Sequence, residues 1–260
     1  MDSERPLTLK GKFAIVTGAS RGLGADMAWN LACRGANVCL THVSEKSTPA
    51  VQELAAKIEA LPHKPSVYIC RADVSTVDGP QQIIDQLREA LGGKLAVNIL
   101  VNNAGVERVV SLAGLSVDDY DTVFNLNVRG LILMTQAVLP YLQPKGRVIN
   151  ISSVGSREGF RSLGLYCASK AAVEGLTRVW ATELGHNGTT VNAVNPGPVQ
   201  TELLDKIPRE IIDMQKKLTA VENRLGLPRE VSDIVSWLAG DESGWISGQA
   251  ISASGGYAMY

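Results

Sequence analysis

Short apolar runs of strand length alternate with amphipathic stretches along almost the whole chain. Residues 12–17 form the first such run, a glycine-rich turn follows, and helical spacing of apolar residues then runs from about 23 to 34, closed by Gly35. The alternation continues with a strand at 37–41, an amphipathic helix at 47–61 ended by Pro62, a strand at 66–70 and a helix from about 76 to 91. A strand at 98–101 precedes one long helical stretch from about 117 to 142, and a fifth strand occupies 146–151. Helical spacing follows Tyr166, and a sixth strand is read at 190–194. The segment from about 202 to 223 mixes charged and long apolar residues, as a helical lid would. A helix at 228–238, with Pro228 at its start, leads to a last strand at 249–252. Strands and helices in strict alternation, with no internal repeat or linker, predict one α/β domain over 1–260: a doubly wound parallel sheet of seven strands flanked by helices on both faces.

Composition narrows the class. Among 260 residues, 45% are apolar and 20% charged, and the formal net charge is −1 with no long basic run, which argues against a nucleic-acid surface. The four cysteines (Cys33, Cys39, Cys70, Cys167) have neither metal-ligand nor redox spacing, and His42, His63 and His186 are equally scattered, so metal catalysis finds no support. The first residues are charged and lack an apolar core, and the apolar stretches read as too short or too interrupted to span a bilayer. The expectation is a soluble, cytoplasmic protein without a membrane partner.

The candidate chemistry lies where strands end. Thr17-Gly18-Ala19-Ser20-Arg21-Gly22-Leu23-Gly24 opens a helix directly after a strand, where glycines admit a close ligand and free N–H groups favour a phosphate. An acidic residue at the end of the second strand would bond an adenosine ribose 2′-hydroxyl and repel a 2′-phosphate. That place reads Thr41-His42-Val43-Ser44, and Arg21 stands in the glycine turn, so the pattern favours NADP(H) over NAD(H). Asp73, past the third strand, is placed either to meet a ligand or to cap the next helix. Asn102-Asn103-Ala104-Gly105 can bridge neighbouring strands or form an ordinary turn, and Asn127 is a poor residue for the middle of a helix. Tyr166 and Lys170 stand four apart, one helical turn, which sets an ammonium beside a phenol and favours the ionised phenol. Ser153 lacks the G-x-S-x-G setting of a hydrolase nucleophile.

Taken together, Thr17-Gly18-x3-Gly22-x-Gly24, Asp73, Asn102-Asn103-Ala104-Gly105, Asn127, Ser153, Tyr166-x3-Lys170 and Asn195-Pro196-Gly197 resemble, in order and spacing, the short-chain dehydrogenase/reductase family. The likeness covers nearly the whole chain and is greatest to the 3-oxoacyl-carrier-protein-reductase-like branch, fungal hydroxynaphthalene-reductase-type enzymes included. The resemblance implies a single-domain Rossmann fold and a ketone-reducing enzyme. In it Tyr166 would protonate the substrate oxygen, Lys170 would lower the Tyr166 pKa and hold the nicotinamide ribose, and Ser153 would polarise the carbonyl. Asn127 would kink its helix and hold a water next to Lys170. Gly18, Ser20, Arg21, Gly22 and Leu23 would line the phosphates; Thr41, His42 and Ser44 would face the 2′-phosphate; Asp73 and Val74 would meet adenine. Asn103, Ala104 and Gly105 would contact the adenosine and ribose side, while Pro196, Gly197, Val199 and Thr201 would hold the nicotinamide end.

The competing expectations are an NAD-linked alcohol dehydrogenase, a cyclase or epimerase on the same fold, and a protein that binds NADP(H) without turnover. Phe160, Leu163, Leu203, Leu204, Ile207 and Met214 suggest an apolar or polyketide-like small-molecule carbonyl substrate, and they serve equally as lid packing. Family likeness implies a homotetramer or homodimer, with the helices around Asn127 and Tyr166 pairing between subunits.

Overall fold

The computed structural model describes residues 6–202 and 207–260, and seven parallel strands run through it: β1 (Phe13–Val16), β2 (Asn37–His42), β3 (Val67–Arg71), β4 (Val97–Asn102), β5 (Leu142–Ile151), β6 (Thr190–Pro196) and β7 (Ala250–Ala253). Their order across the sheet is β3-β2-β1-β4-β5-β6-β7. Parallel strands buried on both faces need near-continuous apolar sequence, and β1, Phe-Ala-Ile-Val, is buried at every position. The alternating side chains divide between two cores. Ala14 and Val16 face one with Met27, Leu31, Ile58, Val235 and Leu238, while Phe13 and Ile15 face the other with Ile83, Leu87, Leu100 and Met134.

Helices α1 (Gly22–Cys33), α2 (Thr48–Glu59) and α8 (Pro228–Leu238) cover the first face, and α3 (Gly79–Ala90), α4 (Val117–Phe124), α5 (Leu131–Val138) and α6 (Gly164–Leu184) the second. Strand order reverses between β1 and β4. In an open parallel sheet that reversal leaves a crevice beyond the strands' C-terminal ends.

Three boundaries differ from the sequence reading, each for a physical reason. The long helix is not continuous: α4 and α5 are separated by a π-turn at Asn125–Gly130, and a 3-10 turn at Leu139–Tyr141, with Pro140 inside it, ends the run. The fifth strand begins at Leu142 instead of 146, because Leu142 pairs with Val97 before the register jumps to Ile99 against Arg147. Among its described residues the lid segment contains one helix, α7 (Arg209–Leu218), while Leu203 and Leu204 lie outside the described residues. The run Val117–Tyr141 is long and apolar enough, by length and composition, to cross a membrane. Here it packs on α3, α6 and β4 as a covering layer of the sheet.

Candidate active site

The glycine turn closes onto β4 through one amide. Asn103 Nδ2 donates to the carbonyls of Thr17 (2.8 Å) and Gly18 (3.2 Å), and the Thr17 hydroxyl accepts the backbone N–H groups of Asn103 (2.9 Å) and Ala104 (3.0 Å). Asn103 therefore bridges two strand ends, the first of the two alternatives its sequence left open. Gly24 lies so close beneath the turn that a Cβ there would stand 2.2 Å from the Gly18 oxygen. Gly22, at φ +55°, faces open space, and the first atom its Cβ would meet is Thr201 Cγ2 at 3.9 Å. That slot lies at the start of α1, whose first turn carries no acidic residue and whose N-cap, Arg21, makes no side-chain capping bond. Uncapped N–H groups at a helix start, beside an open glycine, fit a phosphate. Arg21 is exposed, and its side chain makes no hydrogen bond or ion pair among the described residues.

The second-strand end has a different character from its polar sequence. Thr41 is buried, and its hydroxyl accepts the Gly18 N–H at 3.2 Å. His42 is also buried, with Nδ1 3.0 Å from the Ser44 carbonyl, and the Ser44 hydroxyl pairs with that of Ser47. These residues brace the turn from below, and Arg21 is an exposed cation beside it.

Asp73 caps no helix, since α3 starts at Gly79. Its carboxylate accepts the Ser75 N–H at 2.9 Å in a tight local turn, and the Thr76 hydroxyl accepts the Gly79 N–H. The capping alternative thus falls, because the turn uses up the residues between. Val74, next in the turn, packs in the apolar core. The same turn rests on the π-turn: a Cβ on Gly130 would come within 2.5 Å of the Val74 oxygen, and Arg129 donates to the Ser75 carbonyl.

Asn127 sits in that π-turn, and its buried amide is bonded at both ends. Oδ1 accepts the Val106 N–H (2.8 Å), and Nδ2 donates to the Val106 carbonyl (2.9 Å) and the Ser169 hydroxyl (3.0 Å). Gly105 is the meeting point, since its Cβ position lies 3.3 Å from Asn127 Oδ1 and 3.4 Å from Lys170 Nζ.

On α6, Tyr166 and Lys170 share one face. Lys170 is buried, donates to the Ile151 carbonyl at 2.8 Å, and lies 5.7 Å from the centre of the Tyr166 ring. Burial pushes its pKa down to about 8. The Tyr166 phenol moves the opposite way, to about 12, chiefly by desolvation, with the Ser153 hydroxyl pulling it down and Glu107 adding an upward push. The expectation that the neighbouring ammonium lowers the phenol pKa is thus reversed in the protein by itself. Desolvation disfavours both charged forms, and it is the largest cause of each shift. Ser153 is buried at the start of a 3-10 turn (Val154–Ser156), and its hydroxyl accepts the Gly155 N–H at 3.0 Å.

All four catalytic candidates converge, and Gly197, Val199 and Thr201 follow β6 on the same edge of the sheet. A Cβ on Gly197 would press within 2.8 Å of Ser254, which holds the Pro196-Gly197 corner against the segment after β7. A cavity of about 260 Å³ opens behind this corner, with Pro198, Val199, Arg224, Glu230 and Ser254 among its walls, and none of the four catalytic candidates lines it. Sequence reasoning missed Glu107, whose carboxyl pKa is raised by burial near Tyr166, and Glu174, one turn past Lys170. Glu174 had a legible signal, an acid on the face of α6 that carries Tyr166 and Lys170. No cluster of metal-ligating side chains occurs among the described residues.

Comparisons with known proteins agree with this geometry. A family model described as Enoyl-(Acyl carrier protein) reductase matches residues 18–258. The chain is 38% identical over 258 residues to the short-chain dehydrogenase/reductase FrzI of a Cladobotryum species, covering 96% of this chain and 97% of that protein. It is 33% identical over 252 residues to the 3-oxoacyl-[acyl-carrier-protein] reductase FabG of Thermotoga maritima, covering 96% and 99%. The crystal structure of the angucycline C-6 ketoreductase LanV with bound NADP superposes with a TM-score of 0.90 at 29% identity, covering 97% of this chain and 98% of that one. With the match spanning almost every residue and the converging Ser153, Tyr166 and Lys170 inside it, the chain belongs to the short-chain dehydrogenase/reductase family.

Proposed function

We propose that this protein is an NADPH-dependent reductase that converts a ketone to a secondary alcohol, with Tyr166 as the general acid. The observation that carries this reading is the protonated Tyr166 phenol beside the Ser153 hydroxyl, above Lys170, at the crevice edge of the sheet. The glycine turn, the uncapped start of α1 and the open side of Gly22 fit the cofactor's phosphates, and exposed Arg21 fits the 2′-phosphate. When bound, NADPH supplies the hydride. Ser153 donates a hydrogen bond to the ketone oxygen and stabilises its developing negative charge. Tyr166 gives its phenolic proton to that same oxygen. Lys170, held by the Ile151 carbonyl, keeps a cation beneath the phenolate that results.

An apolar, polyketide-type substrate is supported by α7, where Ile211, Met214 and Leu218 are 42%, 50% and 54% exposed along one helical face. The tilted pair of Phe160 and Tyr257 adds aromatic surface. Exposed Tyr120 on α4 and Val179 on α6 support pairing of those helices between subunits. Tyr166→Phe tests the reading. Ketone reduction should fall by about 10²- to 10⁴-fold, the usual worth of a general acid, while NADPH titration stays near wild type. Undiminished turnover in that variant would overturn it.

A further inference from the structure

Glu174 is a carboxylate 5% exposed, two helical turns beyond Tyr166 on α6. Its Oε1 accepts from Asn195 Nδ2 at 2.6 Å and from the Ser156 hydroxyl. Its Oε2 accepts from Arg157 through Nε (3.0 Å) and Nη2 (2.9 Å), with Arg178 Nη1 at 3.9 Å. Asn195 Nδ2 also donates to the Tyr260 hydroxyl at 2.8 Å, and the Arg157 guanidinium lies 4.2 Å from the centre of the Tyr260 ring. The Ser156 hydroxyl stands 2.7 Å from the Ser153 carbonyl as well, so its one proton serves either that carbonyl or Glu174.

A buried carboxylate is costly unless it is bonded and paired. Burial pushes the Glu174 pKa up, but the bonds from Ser156, Asn195 and Arg157 more than reverse this, and the group is held below its ordinary value. The charge is therefore kept, and the parts it joins are telling. Ser156 and Arg157 belong to the turn that carries Ser153. Glu174 belongs to the helix that carries Tyr166 and Lys170. Asn195 ends β6 and leads into Pro196-Gly197.

We propose that Glu174 is a positioning residue, whose carboxylate fixes the Ser153 turn against the Tyr166–Lys170 helix, with Tyr260 closing the cluster over it. The proposal rests on the reductase reading and deepens it. Ser153 must meet the ketone oxygen from the correct side at the moment Tyr166 gives its proton, and misplacement of about 1 Å in such a constellation costs on the order of 10²-fold in rate.

The test uses the full chain saturated with NADPH, with acetophenone and decalone as probe ketones. Ser156→Ala removes the hydroxyl link between Glu174 and the Ser153 turn, leaving the Arg157 ion pair in place, without removing any group assigned to substrate or cofactor. Its kcat should fall about tenfold with KM within about twofold, the pattern of an interaction lost in the transition state. Ser156→Thr, which keeps a hydroxyl, should restore kcat. Glu174→Gln should lower kcat at least as far, and the double variant should be no worse than Glu174→Gln alone, as expected for residues acting in one network. Lowered melting temperatures with unchanged kcat in Ser156→Ala and Glu174→Gln would reduce the cluster to a structural brace and overturn the proposal. Tyr166→Phe in the same series separates the two readings. Full activity there overturns the reductase assignment and this proposal with it, whereas an inactive Tyr166→Phe beside a fully active Glu174→Gln overturns the positioning role alone.

Discussion

Lys170 Nζ lies 5.7 Å from the centre of the Tyr166 ring while its hydrogen bond goes to the Ile151 carbonyl, 2.8 Å away. The two side chains are neighbours whose titrations are pulled apart by burial, Lys170 down to about 8 and Tyr166 up to about 12. Stability rises with pH wherever the unfolded chain binds more protons than the folded one. For Lys170 that window lies between about 8 and its ordinary 10.5, where the burial penalty on the ammonium is progressively removed. For Tyr166 the sign is opposite: its contribution is complete below its ordinary 10.0 and is lost as pH rises through about 12. Melting of the cofactor-free protein should therefore show a rise from pH 8 that turns over above pH 10. Lys170→Met should flatten the rising limb and leave the falling one. A rising limb unchanged in that variant would disprove the assignment to Lys170.

Asn127 locks the segment after β4 to α6 through three hydrogen bonds, two to Val106 and one to Ser169. Asn127→Ala leaves the Val106 N–H and carbonyl without these partners in a partly buried site. A loss of about 2–3 kcal/mol in urea unfolding is expected, from net bond energies near 1 kcal/mol each plus desolvation of the orphaned groups. Reductase activity should fall more than NADPH affinity, because the bonds end at the segment bearing Glu107 and at the residue preceding Lys170. A neutral effect on both would show that the π-turn holds without its amide.

How much of this could be read from the chain depends on the range of the forces involved. Strand runs such as 37–41 and the Pro228–Leu238 helix came through nearly intact, because burial on two faces and a proline at N1 are local signals. The Asn103 bridge was legible as one of two alternatives, since an amide beside small residues does either job. The break of the long helix at Asn125–Gly130 was legible only as an unfavourable Asn127. The π-turn sets Gly130 against the Val74 turn, a contact between residues 56 positions apart. Least legible were the pKa directions of Tyr166 and Lys170. A four-residue spacing states that the charges are close, and it says nothing of the surrounding protein that desolvates both.

Gly24 offers a test of the turn's close packing. A methyl group there would stand 2.2 Å from the Gly18 oxygen and 2.5 Å from Asn103 Nδ2, and neither has room to move without opening the turn. Gly24→Ala should abolish NADPH binding while circular dichroism still reports the α/β fold, because the clash is confined to the crevice rim. Retained binding would mean that the β1–α1 turn can relax without losing its grip on the phosphates.

Arg21 carries the last prediction. Thr41 and His42 are buried under the turn, whereas Arg21 is the exposed cation in the glycine turn itself. A charge-assisted bond of this kind contributes about 1.5–3 kcal/mol, or about 10- to 150-fold in affinity. Arg21→Ala should therefore weaken NADPH by that factor and leave NADH almost unchanged, since the two differ only at the 2′ position. Fluorescence titration with both cofactors gives the answer, and raising the salt concentration should narrow the wild-type preference in the same direction. Equal loss for the two cofactors would place Arg21 on the shared pyrophosphate instead. The discrimination would then come from the segment after β2, where Lys46 is a further exposed cation and the Ser44 hydroxyl is paired with Ser47.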